Sequence, residues 1–138
     1  MSTFWISLGL VASGGAIGAS LRYLVALLIR GVDFPLSTLI VNVLGSFLIG
    51  LFVGLVQHET GLVHDEHVPF TSKPGFRLFF VTGLLGGFTT FSAFSIETMG
   101  LLQAGEPVKA AFNVILSNGL GIAAAFIGYA VALTMKRG

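Results

Sequence analysis

The sequence predicts an all-α membrane protein of four transmembrane helices, on two observations: an apolar composition, and four long runs without a charged residue. Of the 138 residues, 54% are hydrophobic and 9% charged, and the mean hydropathy is +0.95, well outside the usage of soluble domains. No Asp, Glu, Lys or Arg occurs from Met1 to Leu21, Phe34 to Gln57, Leu78 to Ile96 or Ala110 to Met135. About 20 apolar residues in a helix cross the bilayer core. The runs lack the alternation of barrel strands, so helices are the form that satisfies every backbone N–H and C=O in lipid. Extended to the flanking turn signals, the helices cover 3–30, 35–57, 76–103 and 108–135 of a single transmembrane domain, 1–138.

Nothing basic precedes the first span, and it stays apolar from Leu24 to Ile29, so it reads as a helix rather than a cleaved signal peptide. Gly14, Gly18 and Arg22 recur at fourfold spacing beside Gly15 and Ala19, a small-residue stripe suited to close helix packing. Arg22 either snorkels to lipid phosphate or lines an aqueous vestibule where its charge concentrates anions.

The second span repeats the spacing with Thr38, Asn42, Ser46, Gly50 and Gly54. A carboxamide in lipid requires partners, so Asn42 either makes an interhelical bond or turns its two N–H donors to an anion. In the fourth span the same pattern runs through Asn113, Ser117, Gly121 and Ala125.

The third span is poor material for a continuous helix. Gly86 and Gly87 loosen the backbone, and the hydroxyls of Thr89, Thr90, Ser92 and Ser95 follow, so a local break is expected around 86–90. Freed carbonyls there are hard oxygen ligands, suited to an alkali cation such as Na+. Phe88, Phe91 and Phe94 recur every three residues along one drifting face. They are either lipid-facing or core aromatics, or rings whose positive edges line an anion path. Glu97 lies near the same face and either stays neutral or ends a polar lane.

Turns at Arg30 to Pro35 and Ala104 to Pro107 are short, while the connection from Gln57 to Pro74 is long and polar. It holds His58, Glu59, His64, Asp65, Glu66 and His67 in no zinc-binding spacing, so it reads as a solvated loop. There is no cysteine, nucleophile motif, phosphate loop or dinucleotide motif, and the net charge of +1 implies no nucleic-acid partner. Lys73, Arg77, Lys136 and Arg137 fall on one side against Arg30 and Lys109 on the other, a bias weak enough to permit insertion both ways. So small a bundle has little interior, so a translocation path would form most easily between subunits of an oligomer, in the first place a dimer.

The run Gly86-Gly87-Phe88-Thr89-Thr90-Phe91-Ser92-Ala93-Phe94-Ser95-Ile96-Glu97 resembles the signature of the Fluc, or CrcB-type, fluoride channels. Gly14-Gly15-x-x-Gly18 with Arg22, Thr38-Leu39-x-Val41-Asn42, and Leu101-Leu102-x-x-Gly105 extend the resemblance to essentially the whole chain. It implies an antiparallel, dual-topology homodimer with two pores at the subunit interface. Such a dimer passes fluoride passively out of the cytoplasm across the bacterial inner membrane, limiting fluoride toxicity. Carried over by position, Phe91 and Phe94 are pore-lining rings, Asn42 an amide donor and Arg22 a vestibule cation, with Ser92, Glu97 and Ser117 in the polar lane. A structural Na+, not transported, is implied on the backbone carbonyls of Gly86 and Thr89 from both subunits. The chain departs from the family pattern in Asn113, where tyrosine is common, in Ala93, where threonine is common, and in its long middle loop. The alternative is a small four-helix multidrug exporter, which requires an acid in the first span, where this chain carries Arg22.

Overall fold

A computed structural model describes residues 2–57 and 74–135. The loop from His58 to His67, and Lys73, Lys136 and Arg137 of the charge bias, lie outside the described residues. All regular structure within them is helical: α1 (Ser2–Leu28), α2 (Leu36–Gln57), α3 (residues 74–88), α4 (Phe91–Gln103) and α5 (Pro107–Met135). Four lengths are long and apolar enough to cross a bilayer: Thr3–Leu28, Leu36–Val56, Pro74–Gln103 and Pro107–Met135. The third of these is α3 and α4 together.

The turns follow from a few backbone-permissive residues. Beyond α1 the chain passes Gly31, whose φ of 79° suits glycine, before α2 begins after Pro35. At the end of α4, the Gly105 N–H donates to Leu102 O (3.1 Å) and the Glu106 N–H to Leu101 O (2.9 Å). With Gly105 at φ 74°, this is a Schellman closure. Pro107 opens α5 where no N–H is needed, so α4 and α5 run back to back after a minimal turn.

Two seams dominate the packing, α2 against α5 and α1 against α3. Both are backbone-to-backbone contacts made possible by glycine. A Cβ on Gly50 would strike the Ala125 carbonyl, and one on Gly128 the Phe47 carbonyl. In the other seam Gly14 faces the Phe79 carbonyl, Gly18 the Leu84 carbonyl, and Gly83 the Val11 carbonyl. Lipid tails are as apolar as leucine, so helices associate through close packing and weak Cα–H···O contacts rather than hydrophobic drive. Gly14 and Gly18 of the α1 stripe, Gly50 and Gly54 of the α2 stripe and Ala125 of the α5 stripe stand in these seams.

A feature not foreseen from the sequence is that α3 is a π-helix from Leu78 to Leu85 between short α turns. At its end the Gly86 N–H reaches Val81 O, five residues back, as well as Gly83 O. The carbonyls this stretch turns outward, those of Phe79 and Leu84, are the ones resting on Gly14 and Gly18.

Gly50→Ala and Gly128→Ala are each expected to lower stability by about 1–3 kcal/mol through overpacking against backbone. Gly9→Ala, with nothing within 4 Å of its would-be Cβ, should leave it unchanged or slightly raised. Unfolding in detergent micelles measures both.

Candidate functional site: the interrupted third span

Near the middle of the third span the helix stops at Phe88 and resumes at Phe91. Thr89 (φ −78°, ψ 154°) and Thr90 (φ −151°, ψ 117°) are extended between them. Asn42 of α2 occupies the gap as a two-point clamp: the Thr90 N–H donates to Asn42 Oδ1 at 2.8 Å, and Asn42 Nδ2 donates to Thr90 O at 3.0 Å. Thr90 Oγ1 accepts the Ala93 N–H at 3.2 Å, the bond of an N-cap. Thr89 closes α3, its N–H (3.0 Å) and its Oγ1 (2.9 Å) both donating to Leu85 O. Arg22 Nε donates to Gly87 O at 3.2 Å, placing a cation at the negative end of α3.

The Thr90 N–H is diverted from its helical acceptor, the Gly86 carbonyl, and the Ala93 N–H from the Thr89 carbonyl. Two carbonyl oxygens at the end of α3 thereby lose their helical donors. Gly86 is exposed and Thr89 half-buried in the single chain. Neutral, hard oxygens at the negative end of a helix fit a small alkali cation, so the donor set fits the Na+ expected at Gly86 and Thr89. Among the described residues no group of His, Cys, Asp and Glu is arranged to hold a metal ion.

The break falls at Thr89 and Thr90, within the expected 86–90, and of the two expected causes the hydroxyls rather than the paired glycines stand at it. Gly86 is helical (φ −62°, ψ −36°), and Gly87 is bare because the backbone of Gly15 lies against it, with Gly15 Cα 3.0 Å from where a Cβ would stand. The glycines pack; the hydroxyls and Asn42 break the helix.

The three phenylalanines are likewise divided rather than aligned along one face. Phe88 precedes the break and is buried at 7% exposure, whereas Phe91 is 76% exposed and Phe94 9%. Phe91 and Phe94 pair on α4 with ring centroids 5.3 Å apart and planes inclined by 42°.

Two cavities flank the break, and Thr90 lines both. One, of about 330 Å³, is bounded by Asn42, Ser46, Gly86, Thr89 and Phe91. The other, of about 270 Å³, is bounded by Arg22, Thr38, Ala93 and Glu97. In the second, Thr38 Oγ1 donates to Glu97 Oε1 at 2.7 Å, while the buried Glu97 Oε2 has no hydrogen-bond partner among the described residues. Arg22 is thus half-buried between a helix end and a polar cavity.

Within one chain, hydrogen bonds do not link Ser92, Glu97 and Ser117. Ser92 Oγ lies 3.2 Å from Thr90 Oγ1, and Glu97 turns to α2. Ser117 Oγ donates to Asn113 Oδ1 (3.3 Å), Asn113 Nδ2 to Thr98 Oγ1 (2.9 Å), and Thr98 Oγ1 to Phe94 O (2.7 Å). Asn113 is fully buried, so this relay fastens α5 to α4. The parts played by Thr38, Thr90 and Thr98 were not assigned from the sequence. Thr38 and Asn42 on one helical face, and a threonine three residues before Ala93, were the available signals.

This arrangement defines a four-span membrane protein whose third span is interrupted midway, leaving carbonyls without helical donors and a phenyl ring at its surface. Residues 9–129 match a family model described as CrcB-like protein, Camphor Resistance (CrcB). The chain is 42% identical over 129 residues to a protein of Rhizobium meliloti (strain 1021) named fluoride-specific ion channel FluC, a match covering 91% of this chain and 95% of that one. Proteins of the same name from Rhizobium etli (strain ATCC 51251) and Shewanella pealeana are each 46% identical, covering 88% and 86% of this chain and 92% and 89% of theirs. The chain belongs to the CrcB family.

Thr98→Val keeps the shape of the relay but leaves the buried Asn113 Nδ2 without its acceptor. It should cost about 1–3 kcal/mol, readable as a lower unfolding midpoint in detergent.

Proposed function

We propose that this protein is a fluoride-selective channel that lets fluoride leave the cytoplasm down its electrochemical gradient, and that it works as an antiparallel, dual-topology homodimer in the bacterial inner membrane. The observation that carries this reading is the likeness to fluoride-specific channels over 91% of the chain at 42% identity.

The geometry supports it chemically. The first turn of α4 points N–H groups without helical acceptors back towards the break, the positive end of a helix dipole. The Phe91 and Phe94 rings sit on that same turn, and ring edges hold an anion without trapping it. Arg22 draws anions into the vestibule. Asn42 keeps one Nδ2 hydrogen beyond its bond to Thr90. Ser92, Glu97 and Ser117 then provide the polar lane, completed between subunits rather than within one.

The dimer is supported by what a single chain leaves uncovered. Phe91 is 76% exposed, and Gly86, Ser92, Ser95 and Asn118 are exposed within spans, where lipid is a poor partner for polar groups. A second copy would cover these groups and bring a second pair of Gly86 and Thr89 carbonyls to a shared Na+. That ion, when bound, supplies positive charge that satisfies the freed carbonyls and ties the two breaks together. A multidrug exporter is disfavoured because α1 carries Arg22 and no carboxylate.

Reconstituted vesicles should release fluoride rapidly and chloride slowly. Phe91→Ile, which keeps most of the volume and loses the ring edge, should slow fluoride release by at least about tenfold, the loss of about 1.4 kcal/mol of barrier stabilisation, with assembly intact. Release as fast as from the unsubstituted protein would remove Phe91 from the path. Since the chain has no cysteine, Ala104→Cys gives a single reporter on the turn between α4 and α5. A membrane-impermeant thiol reagent should label it from both faces of the membrane, and labelling from one face alone would refute dual topology.

A further inference from the structure

We propose that Asn42 is the positioning residue of the cation site: its carboxamide, assisted by the Thr90 hydroxyl, keeps the Gly86 and Thr89 carbonyls free to receive the ion. The inference rests on the sodium reading above and adds to the anion contact expected of Asn42.

An extended dipeptide inside a span presents both an N–H and a C=O that lipid cannot satisfy. A carboxamide carries its acceptor and its donors on two separate atoms, so it can take the N–H and the C=O of one residue at once, and Asn42 uses both on Thr90, at 2.8 and 3.0 Å. Without Oδ1, the acceptor that best restores the Thr90 N–H is the Gly86 carbonyl four residues back, and that bond would heal the helix. Without Thr90 Oγ1, the Ala93 N–H likewise returns to the Thr89 carbonyl. The bonds that hold the break open are therefore the bonds that withhold donors from both carbonyls. Asn42 touches no cation in this scheme; it acts through the backbone of Thr90, as an outer partner orients a metal ligand.

The test is the sodium dependence of thermal unfolding of the purified protein, with N-methylglucamine replacing sodium at constant ionic strength. Asn42→Ala should raise the sodium midpoint by at least about tenfold, as loss of an outer-shell partner does elsewhere. Thr90→Val, which keeps Asn42 and the side-chain shape but removes the Ala93 acceptor, should raise it in the same direction. Ser20→Ala, whose hydroxyl donates to Ala16 O within α1, should leave it unshifted. If Asn42→Ala does not fold, Thr90→Val carries the test alone. An unshifted midpoint in a folded Asn42→Ala protein, even with fluoride flux lost, overturns the inference and leaves Asn42 to the anion alone. An unshifted Thr90→Val does the same. If the unsubstituted protein shows no sodium dependence, the sodium reading itself fails, and this one with it.

Discussion

Lipid supplies no water to a broken helix, so each N–H that leaves the ladder between α3 and α4 has to find its acceptor inside the protein. The Thr90 N–H finds Asn42, and the Ala93 N–H finds the Thr90 hydroxyl. Much of the remaining architecture serves that arrangement. α2 must lie close enough to the third span for a three-atom side chain to reach its backbone, and α1 must lie close enough for Arg22 to reach Gly87 O. Glycine meets both demands: Gly45 faces the Thr89 side chain, and Gly18 faces the backbone of Leu84 and Phe88. Larger residues at those two positions would push their helices away from the break and put its polar groups out of reach.

The two seams divide the work. The α2–α5 seam, bare at Gly50, Gly54 and Gly128, forms a scaffold with the break at one end. The α1–α3 seam adapts to it, and the π-helix is where the adaptation is visible. A π-helix spends backbone geometry to shift carbonyl directions over a short stretch, and π segments are concentrated at functional sites. Here the π stretch ends immediately before Gly86, and the carbonyls of Phe79 and Leu84 within it face Gly14 and Gly18 on α1.

The sequence made some of this legible and hid the rest, for physical reasons. Charge-free length alone identifies the four spans, because bilayer thickness is a constraint that every residue in a span feels. Glycine at fourfold spacing identifies the seams, because only a missing Cβ permits carbonyl contact. The break lies within the expected 86–90, but the part played by the glycines was hidden: Gly86-Gly87 looks like the weak point, yet the partner of Gly87 is Gly15, 72 residues away in sequence, and local composition carries no trace of it. The same limit applies to Thr38. Its face on α2 was readable, whereas its bond to Glu97 depends on how α4 leaves the break. The π-helix had no signal, since widening by one residue alters neither composition nor hydropathy. Phe88, Phe91 and Phe94 were legible as a repeat only under the assumption of a continuous helix, which two extended threonines cancel.

An interrupted helix has two ends of opposite character, and both ends here lie within two residues of each other. The C-terminal end of α3 offers carbonyl oxygens and favours a cation; the N-terminal end of α4 offers N–H groups and favours an anion. The chain separates these demands by which side chains stand at each end. Arg22 takes the Gly87 carbonyl, and the carbonyls of Gly86 and Thr89 are among those at the break that lose their helical donors. At the start of α4 the Thr90 hydroxyl accepts the Ala93 N–H and lies 3.2 Å from Ser92 Oγ. Gly86 and Thr89 share one cavity with Asn42 and Phe91, Arg22 and Glu97 line the other, and Thr90 lines both. On the proposed reading, a cation at the carbonyl end would raise the potential at the anion end without adding a charged side chain to a span. For a chain with 9% charged residues, the field drawing a small anion into lipid would then come from two helix ends, the proposed ion and Arg22, and selectivity would fall to ring edges that bind weakly.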